Sequence, residues 1–287
     1  GSIIKTFTSM NLDEKIISAL KDLDYEEATE IQKKAIPIAL KRRDILAAAQ
    51  SGTGKTAAFL LPILAELLET KQTKTILRTL ILVPTRELAS QISKAVEDFS
   101  KYMDISSLAM VGGVSTKDQE KKIAKGIDIL VATSGRLMEH LKNGTVDLSS
   151  VTTVVIDEVD TMLDMGFLED IEKILPNVGP KRQIMMFSAT MNQNVKKLAK
   201  EFLKDPVVIE VAQQRSAVKI IDQQIVLVDE ANKAAALSYI IGSNNYSQVL
   251  VFVNMKIEAD TLVEHLELDG LTAGCIHGDV RQTARAK

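Results

Sequence analysis

Cysteine, tryptophan and histidine are scarce in this sequence. Its 287 residues include one cysteine, no tryptophan and three histidines. The single thiol, Cys275, cannot form an internal disulfide and offers no cysteine-based metal cluster, so a reducing compartment fits best. His140 and His265 are lone residues of predicted helices, and we expect none of the three histidines, His277 included, to be a metal ligand or a catalytic base.

An excess of charge of one sign and a long hydrophobic run are also lacking. The net charge is −3 and the pI is about 5.8, so a nucleic-acid site, if present, must be a local groove. The longest apolar stretch, Ala57 to Leu68, is interrupted by Pro62 and Glu66 and is too short to span a bilayer. We therefore expect a soluble, monomeric, intracellular protein with no membrane partner, cytoplasmic or, in a eukaryote, nuclear.

The sequence is rich enough in apolar residues, at 46%, to form a substantial core. Asn11, with Glu14 three residues on, is predicted to cap a first helix, and a second helix is predicted over 31–40. Short apolar runs predict buried strands, with helical periodicity between most of them, as in 87–99 and 167–174. The predicted strands are 45–48, 79–83, 107–111, 129–132, 153–156 and 183–187. This alternation favours an α/β fold with a parallel sheet covered on both faces.

The pattern lapses after residue 211 and then resumes. We expect an N-terminal domain over 1–211, a linker over 212–219 and a partial C-terminal domain over 220–287. In the last region the predicted strands are 224–228, 248–253 and 272–276, and the predicted helices are 231–241 and 257–266. A typical domain has about 100–150 residues, so the second α/β region looks incomplete.

The stretch AQSGTGKT, Ala49 to Thr56, follows a predicted strand and precedes an apolar helix. This is the context of a phosphate-binding loop, in which Gly52 and Gly54 let backbone N–H groups face phosphate oxygens. Lys55 is suited to the β and γ phosphates, and the Thr56 hydroxyl to Mg²⁺. We therefore predict that the phosphates of a nucleotide are bound here by the loop residues Ser51, Gly52, Thr53, Gly54, Lys55 and Thr56.

The stretch VVIDEVDTML places three carboxylates, Asp157, Glu158 and Asp160, at the end of a predicted buried strand. Ligands bind at the carboxyl ends of strands in open α/β sheets. Mg²⁺ prefers one or two carboxylates together with water and phosphate oxygens. We expect Asp157, with Thr56, to hold Mg²⁺, and Glu158 to orient and deprotonate the attacking water.

An ordered set of motifs resembles the DEAD-box RNA helicases of helicase superfamily 2. The family's Asp-Glu-Ala-Asp appears as DEVD, with Val159 in place of alanine. The other motifs are PTRELA from Pro84, the pair Gly112-Gly113, TSGR from Thr133 in place of the family's Thr-Pro-Gly-Arg, and SAT from Ser188. The resemblance covers the chain from Phe7 onward and implies a RecA-like first domain followed by an incomplete second RecA-like domain.

The resemblance also implies the recognition of adenine. DYEEATEIQ, Asp24 to Gln32, is similar to the family's Q motif, so Gln32 and Thr29 are expected at the nucleotide. Phe7, 17 residues before Asp24, occupies the family position for an aromatic ring that stacks on the base. Asp24 and Ala28 stand where the family has glycine and proline.

RNA contacts are expected, by the same resemblance, from residues of three motifs: Pro84, Thr85, Arg86, Gly113, Thr133 and Arg136. Hydroxyls, backbone N–H groups and arginine contact phosphate and sugar without reading sequence. None of these motifs carries an aromatic side chain, so we expect single-stranded or short duplex RNA to be bound with little sequence preference. Ser134, in place of the family's proline, is expected to loosen the contact made by its motif.

Asp160, Ser188 and Thr190 resemble the family's coupling element, in which the two hydroxyls are expected to hydrogen-bond to Asp160. In the second region, Val249 to Met255 resembles the family's fourth motif, and Gln282 and Arg285 match its Gln-x-x-Arg pattern. The chain ends before the family's remaining motifs, including its arginine fingers. We therefore expect residues 1–287 alone to bind adenine nucleotide and hydrolyse it slowly.

The resemblance implies an ATP-dependent RNA helicase that unwinds short duplexes locally, or remodels RNA–protein complexes, through ATP-driven domain closure. Three alternatives stay open. They are a nucleotide-gated RNA clamp or scaffold without net unwinding, a phosphate-loop ATPase of another class such as a DNA-directed motor, and a GTPase. The Q motif and SAT disfavour the second, and the absence of an Asn-Lys-x-Asp base reader disfavours the third.

Overall fold

The structure is a computed structural model that describes residues 6–70, 73–211 and 224–280. The chain divides into two compact units, residues 1–216 and 217–287. The predicted linker, 212–219, lies outside the described residues, as do Gln282 and Arg285.

A seven-stranded, wholly parallel sheet forms the centre of the first unit, in the order β3-β4-β2-β5-β6-β1-β7. The strands are β1 (Ile45–Ala48), β2 (Thr79–Val83), β3 (Ser107–Met110), β4 (Ile129–Thr133), β5 (Thr153–Ile156), β6 (Gln183–Ser188) and β7 (Val207–Glu210). The six strands predicted from apolar runs are all present, within one residue at each end. The short edge strand β7 was not predicted.

Nine helices accompany the described strands of this unit, and short 3₁₀ helices cover Phe7–Met10 and Leu175–Asn177. The helices are α1 (Glu14–Asp22), α2 (Glu30–Leu40), α3 (Lys55–Glu69), α4 (Arg86–Phe99), α5 (Thr116–Lys125), α6 (Ser134–Lys142), α7 (Val159–Asp164), α8 (Leu168–Ile174) and α9 (Gln193–Phe202). α1 begins after Asp13, whose carboxylate accepts from the Lys15 N–H at 2.8 Å. The prediction that Asn11 caps this helix is wrong, because Asn11 has a left-handed φ of 55° and ends the preceding 3₁₀ turn.

The two faces of the sheet carry separate apolar cores. Ile81 and Val83 of β2 pack with residues of α1 to α4 on one face. Leu80 and Leu82 of the same strand pack with residues of α6 to α9 on the other. Alternate residues of one strand point to opposite faces, so a strand that is covered on both sides must be apolar throughout. The predicted α/β architecture with helices on both faces is confirmed.

The second unit contains two helices in its described part, α10 (Lys233–Ser243) and α11 (Lys256–Leu268), and a 3₁₀ turn over Glu230–Asn232. Both predicted helices are found, shifted by one to two residues. The predicted strands 224–228, 248–253 and 272–276 are wrong for this structure, since none of them forms a hydrogen-bonded strand within 224–280. Leu227, Leu250 and Phe252 are exposed there. An apolar run becomes a strand only where a neighbouring strand pairs with its backbone N–H and C=O groups. No helix of the described residues is long and apolar enough to cross a bilayer.

Candidate ATP and RNA site

The phosphate-binding loop connects β1 to α3, as the sequence predicted. Gly52 and Gly54 adopt φ values of 80° and 85°, which glycine reaches without the strain a side chain would bring. A Cβ atom on Gly54 would lie 2.4 Å from the Gln32 amide nitrogen, so the loop also needs glycine for this close approach. Gly54 is followed directly by the first turn of α3, whose free N–H groups favour an anion.

Lys55 and Asp157 meet at the carboxyl end of the sheet. β1 and β5 each pair with β6, so the residues that follow β1 and β5 emerge close together. The Lys55 Nζ lies 2.9 Å from Asp157 Oδ1 and 3.7 Å from Glu158 Oε1. The Lys55 side chain is 8% exposed and that of Asp157 is fully buried, so this is a buried ion pair.

Burial raises the pKa of Asp157, and the neighbouring Lys55 ammonium opposes that shift. Asp157 Oδ1 accepts from the Glu158 N–H at 2.9 Å, while Oδ2 is buried with no hydrogen-bond partner. A buried carboxylate oxygen without a partner is costly unless a ligand satisfies it. A hard divalent cation with its waters would do so, and the residues present therefore fit Mg²⁺.

A cleft of about 850 Å³ extends from this point along the loop, a volume suited to a nucleotide. Its lining includes most of the predicted nucleotide-binding residues: Thr29, Gln32, Ser51, Gly52, Gly54, Lys55 and Thr56, with Glu158. Thr53 is held differently, since its hydroxyl donates to the Gln50 carbonyl at 2.6 Å. Glu158 adopts a left-handed φ of 53° at the start of α7 and remains 27% exposed in its side chain, so its carboxylate is accessible from the cleft.

Gln32 is buried and ties the Q motif to the phosphate loop. Its amide nitrogen donates to the Gly54 carbonyl at 3.0 Å, and its amide oxygen accepts from the Thr29 N–H at 2.9 Å. Thr29 and Gln32 together form a capping box at the start of α2. One amide hydrogen and one lone pair are left for an adenine edge, so the predicted reading of the base by Gln32 stays a prediction.

Phe7 is not at the cleft surface. Its ring is 2% exposed and belongs to the apolar core with α1 to α4, so it would have to leave this packing to stack on a base. Tyr25, which sequence reasoning missed, does line the cleft and is exposed. Its ring makes an edge contact with Phe99 at 5.9 Å. Only its place inside the Q motif could have drawn attention to it.

The predicted RNA-contacting residues gather at the carboxyl ends of β2 and β4, which are neighbours in the sheet. Pro84 is buried, and the Thr85 hydroxyl caps α4 by accepting from the Leu88 N–H at 3.2 Å. Arg86 is exposed, with its guanidinium lying over the Gly112-Gly113 pair. A Cβ on Gly113, whose φ is 79°, would come within 2.8 Å of the Arg86 Nη1.

Thr133 and Arg136 flank the start of α6. Thr133 precedes its first turn and is half-buried. Arg136 is only 14% exposed, with Nε 3.0 Å from Glu139 Oε2 and Nη1 donating to the Val114 carbonyl at 2.8 Å. Its guanidinium is therefore largely committed to the protein itself.

Ser134, predicted to loosen this motif, is instead fixed. It is buried as the first residue of α6, and its hydroxyl donates to Asp170 Oδ2 of α8 at 2.9 Å. The side chain supplies a tether that proline could not make.

The coupling residues are brought together in part. Asp160 Oδ2 accepts from both the N–H of Thr190, at 3.1 Å, and its hydroxyl, at 3.2 Å. The predicted bond from Ser188 to Asp160 is absent. Ser188 is buried at the end of β6, and its hydroxyl has no partner among the described residues.

A second group of possible metal ligands lies in the second unit, where Asp260, Cys275 and His277 place their ligand atoms within 4.8 Å of one another. No metal ligand was predicted at Cys275 or His277, and Asp260 was not singled out. The Cys275 thiol and the His277 ring both bond to Asp260 Oδ1, at 3.2 and 2.9 Å. The bond to Asp260 raises the pKa of the thiol, which keeps it in the protonated form that binds metals weakly.

The chain is similar to known proteins over the region that carries these motifs. The family model for DEAD/DEAH box helicases matches residues 29–198. The chain is 37% identical to RNA helicase CrhR of Synechocystis, over all of this chain and 58% of that protein. It is also 37% identical to ATP-dependent RNA helicase DeaD of Escherichia coli, over 98% of this chain and 44% of that protein. It thus spans about half the length of the curated relatives it matches.

A crystal structure of a DEAD box protein from the hyperthermophile Methanococcus jannaschii is similar over 98% of this chain and 75% of that one, with 33% identity and a TM-score of 0.69. The parallel sheet of the first unit is RecA-like. On the family match, the identity along the chain and this structural likeness together, the chain belongs to the DEAD/DEAH box helicase family.

Proposed function

We propose that this protein is an ATP-dependent RNA helicase that opens short RNA duplexes, or remodels RNA–protein complexes, through nucleotide-driven closure of two domains. The observation that carries the nucleotide half of the proposal is the 2.9 Å contact between Lys55 and Asp157 beside the phosphate loop. This contact supports the proposal because the cation suited to phosphate and the carboxylate suited to a metal lie side by side at the cleft. The names of the relatives support RNA as the substrate.

Each group at this point has a separate task in hydrolysis. Lys55 would move its ammonium from Asp157 to the β and γ phosphates, while the loop N–H groups hold the remaining phosphate oxygens. Asp157 and Thr56 would hold Mg²⁺, which neutralises the charge of the phosphates when it is bound. Glu158, with its exposed carboxylate 3.7 Å from Lys55 Nζ, would orient the attacking water and take its proton.

RNA would lie along the carboxyl ends of β2 and β4. Arg86 and Gly113 are both exposed there, and a guanidinium and backbone N–H groups suit phosphate oxygens. Among the described residues, Arg86 makes no hydrogen bond or ion pair. Such contacts recognise the backbone, so little sequence preference is expected.

Glu158→Gln tests the proposal because it replaces the base with a group of the same shape that cannot accept a proton. We expect RNA-stimulated ATP hydrolysis to fall by roughly 10²–10⁴-fold. Affinity for Mg²⁺-ADP should stay within about twofold, since Glu158 is assigned neither to the metal nor to the phosphates. Glu169→Gln is a matched control on the exposed surface of α8, and it should leave both quantities unchanged.

Strand displacement from a short RNA duplex, measured with ATP and with a non-hydrolysable analogue, separates unwinding from clamping. Displacement with ATP supports the helicase. Stable RNA binding without displacement in either case supports a nucleotide-gated clamp. Hydrolysis by Glu158→Gln at the unmodified rate would contradict the assigned role of this carboxylate.

A further inference from the structure

A buried polar cluster joins α5 and α6 behind the Gly112-Gly113 loop. It consists of Gln119, Arg136 and His140, and we refer to it as the loop anchor. The Gln119 amide oxygen accepts from the His140 ring at 2.8 Å and from the Arg136 guanidinium at 3.3 Å. Gln119 is 1% exposed and His140 is fully buried.

The donors and acceptors of the loop anchor can be assigned from chemistry alone. Arginine only donates, so the Gln119 atom that faces Arg136 must be the amide oxygen. The amide nitrogen then faces the Val111 carbonyl and donates to it at 3.0 Å. It follows that His140 donates through Nε2–H. Burial and then the charge of Arg136 lower the pKa of His140, which favours the neutral form.

The loop anchor holds both ends of the glycine loop. Gln119 bonds the carbonyl of Val111, just before the glycine pair, and Arg136 bonds the carbonyl of Val114, just after it. The loop between these two bonds contains Gly113, which is exposed in a left-handed conformation. The loop is thereby fixed to α5 through the Gln119 amide at one end and to α6 through the Arg136 guanidinium at the other.

We propose that Gln119 and His140 are positioning residues for RNA: they lock the Gly112-Gly113 loop and Arg136 into one preformed surface, so that RNA affinity depends on two side chains that RNA does not touch. This inference rests on the proposed function. Ordering a glycine loop during binding costs conformational entropy, and a loop already held at both ends avoids that cost.

A cluster that served only to stabilise the fold would have no reason to be polar. Burying an amide and an imidazole is expensive unless every group is paired, and the His140 Nδ1 is buried without a partner. Apolar side chains of similar volume could fill the space between α5 and α6, but they could not hold the two loop carbonyls.

Two variant pairs test the inference. Gln119→Leu removes both amide groups at similar volume. His140→Leu removes the ring donor, whereas His140→Gln keeps an N–H in the position of Nε2. RNA affinity is measured by fluorescence anisotropy of a labelled single-stranded RNA at fixed salt, and nucleotide affinity with a fluorescent ADP. Ile174→Val, a buried core change on α8 that touches no hydrogen bond of the loop anchor, is the control for a simple loss of stability.

We expect Gln119→Leu and His140→Leu to weaken RNA binding by roughly five- to tenfold. Nucleotide affinity should remain within about twofold, and His140→Gln should retain most of the RNA affinity. The inference is overturned if Gln119→Leu binds RNA as the unmodified protein does, or if the two His140 variants are equally weak. It is also overturned if RNA and nucleotide affinities fall together, as they should for a general loss of stability. Failure of the unmodified protein to bind RNA would instead remove the proposed function, and this inference with it.

Discussion

Removing the Lys55 ammonium should destabilise the protein more than removing the Asp157 charge. The carboxylate of Asp157 is fully buried, and one of its oxygens has no hydrogen-bond partner. In Lys55→Met it would keep only the Glu158 N–H. In Asp157→Asn the ammonium would still have Glu158, which lies 3.7 Å away and is partly exposed. Asp157 therefore depends on Lys55 more than Lys55 depends on Asp157.

The magnitude follows from the cost of an unpaired buried charge. Leaving such a charge without its partner costs about 3–5 kcal/mol. For Asp157→Asn we expect a loss of only about 1–2 kcal/mol, because the Lys55 ammonium loses one charged partner but still has the carboxylate of Glu158.

The difference in stability between the two variants is measured by thermal unfolding, monitored by far-UV circular dichroism in EDTA and without added nucleotide. At about 2–4 °C for each kcal/mol, Lys55→Met should lower Tm by roughly 6–20 °C and Asp157→Asn by roughly 2–8 °C. Lys173→Met is the matched control, because Lys173 forms an exposed pair with Glu169 at 3.6 Å and should change Tm little. A larger loss for Asp157→Asn than for Lys55→Met would refute the reasoning.

Two further substitutions probe tethers beside the site. Ser134→Ala should lower the free energy of unfolding, measured in urea, by about 1 kcal/mol, because Asp170 loses its hydroxyl donor. Ser134→Pro should lower it less, since Thr133 already has the extended conformation, φ −83° and ψ 145°, that precedes proline. Equal losses for the two variants would contradict this. Thr190→Val keeps the N–H bond to Asp160 and loses the hydroxyl bond, so RNA-stimulated ATP hydrolysis should fall while nucleotide affinity holds. Thr190→Ser should restore the rate, and if both variants are equally slow the hydroxyl bond is not the coupling contact.

The sheet of the first unit was predictable because its strands are buried on both faces. A run such as Leu80 to Val83 is apolar at every position, and helical periodicity separates it from the next run. β7 escaped prediction although Val207, Val208 and Ile209 are apolar. This run is only three residues long and ends at Glu210, and Val208 is open to solvent at the edge of the sheet.

The second unit shows the limit of the same signal. Residues 248–253 are as apolar as the strands of the first unit, yet they form no ladder in the structure. A run of valine and leucine specifies that a segment prefers a buried, extended place. It does not specify a neighbouring strand, and without one the backbone groups are not paired.

At the site, local motifs predicted the phosphate loop and the acidic strand end because each is a short segment whose chemistry is complete in itself. The loop anchor could not be predicted in that way. Gln119 lies in a lysine-rich, solvated-looking helix and His140 is an isolated histidine. Only the packing of α5 against α6 reveals that they share one hydrogen-bond network.

The contacts around the cleft have a consequence for nucleotide binding. Lys55 is paired with Asp157, and the Gln32 amide is bonded to the phosphate loop at Gly54. A phosphate would therefore exchange partners with the Lys55 ammonium rather than meet a free donor, and exchange yields less net free energy than a new bond. An adenine edge would meet the amide hydrogen and the lone pair of Gln32 that remain open, so the bond to Gly54 need not break. The exchange at Lys55 would release the carboxylate proposed to hold the metal. Nucleotide binding would thus be coupled to a rearrangement at the end of β5, close in the chain to Asp160, which accepts two hydrogen bonds from Thr190.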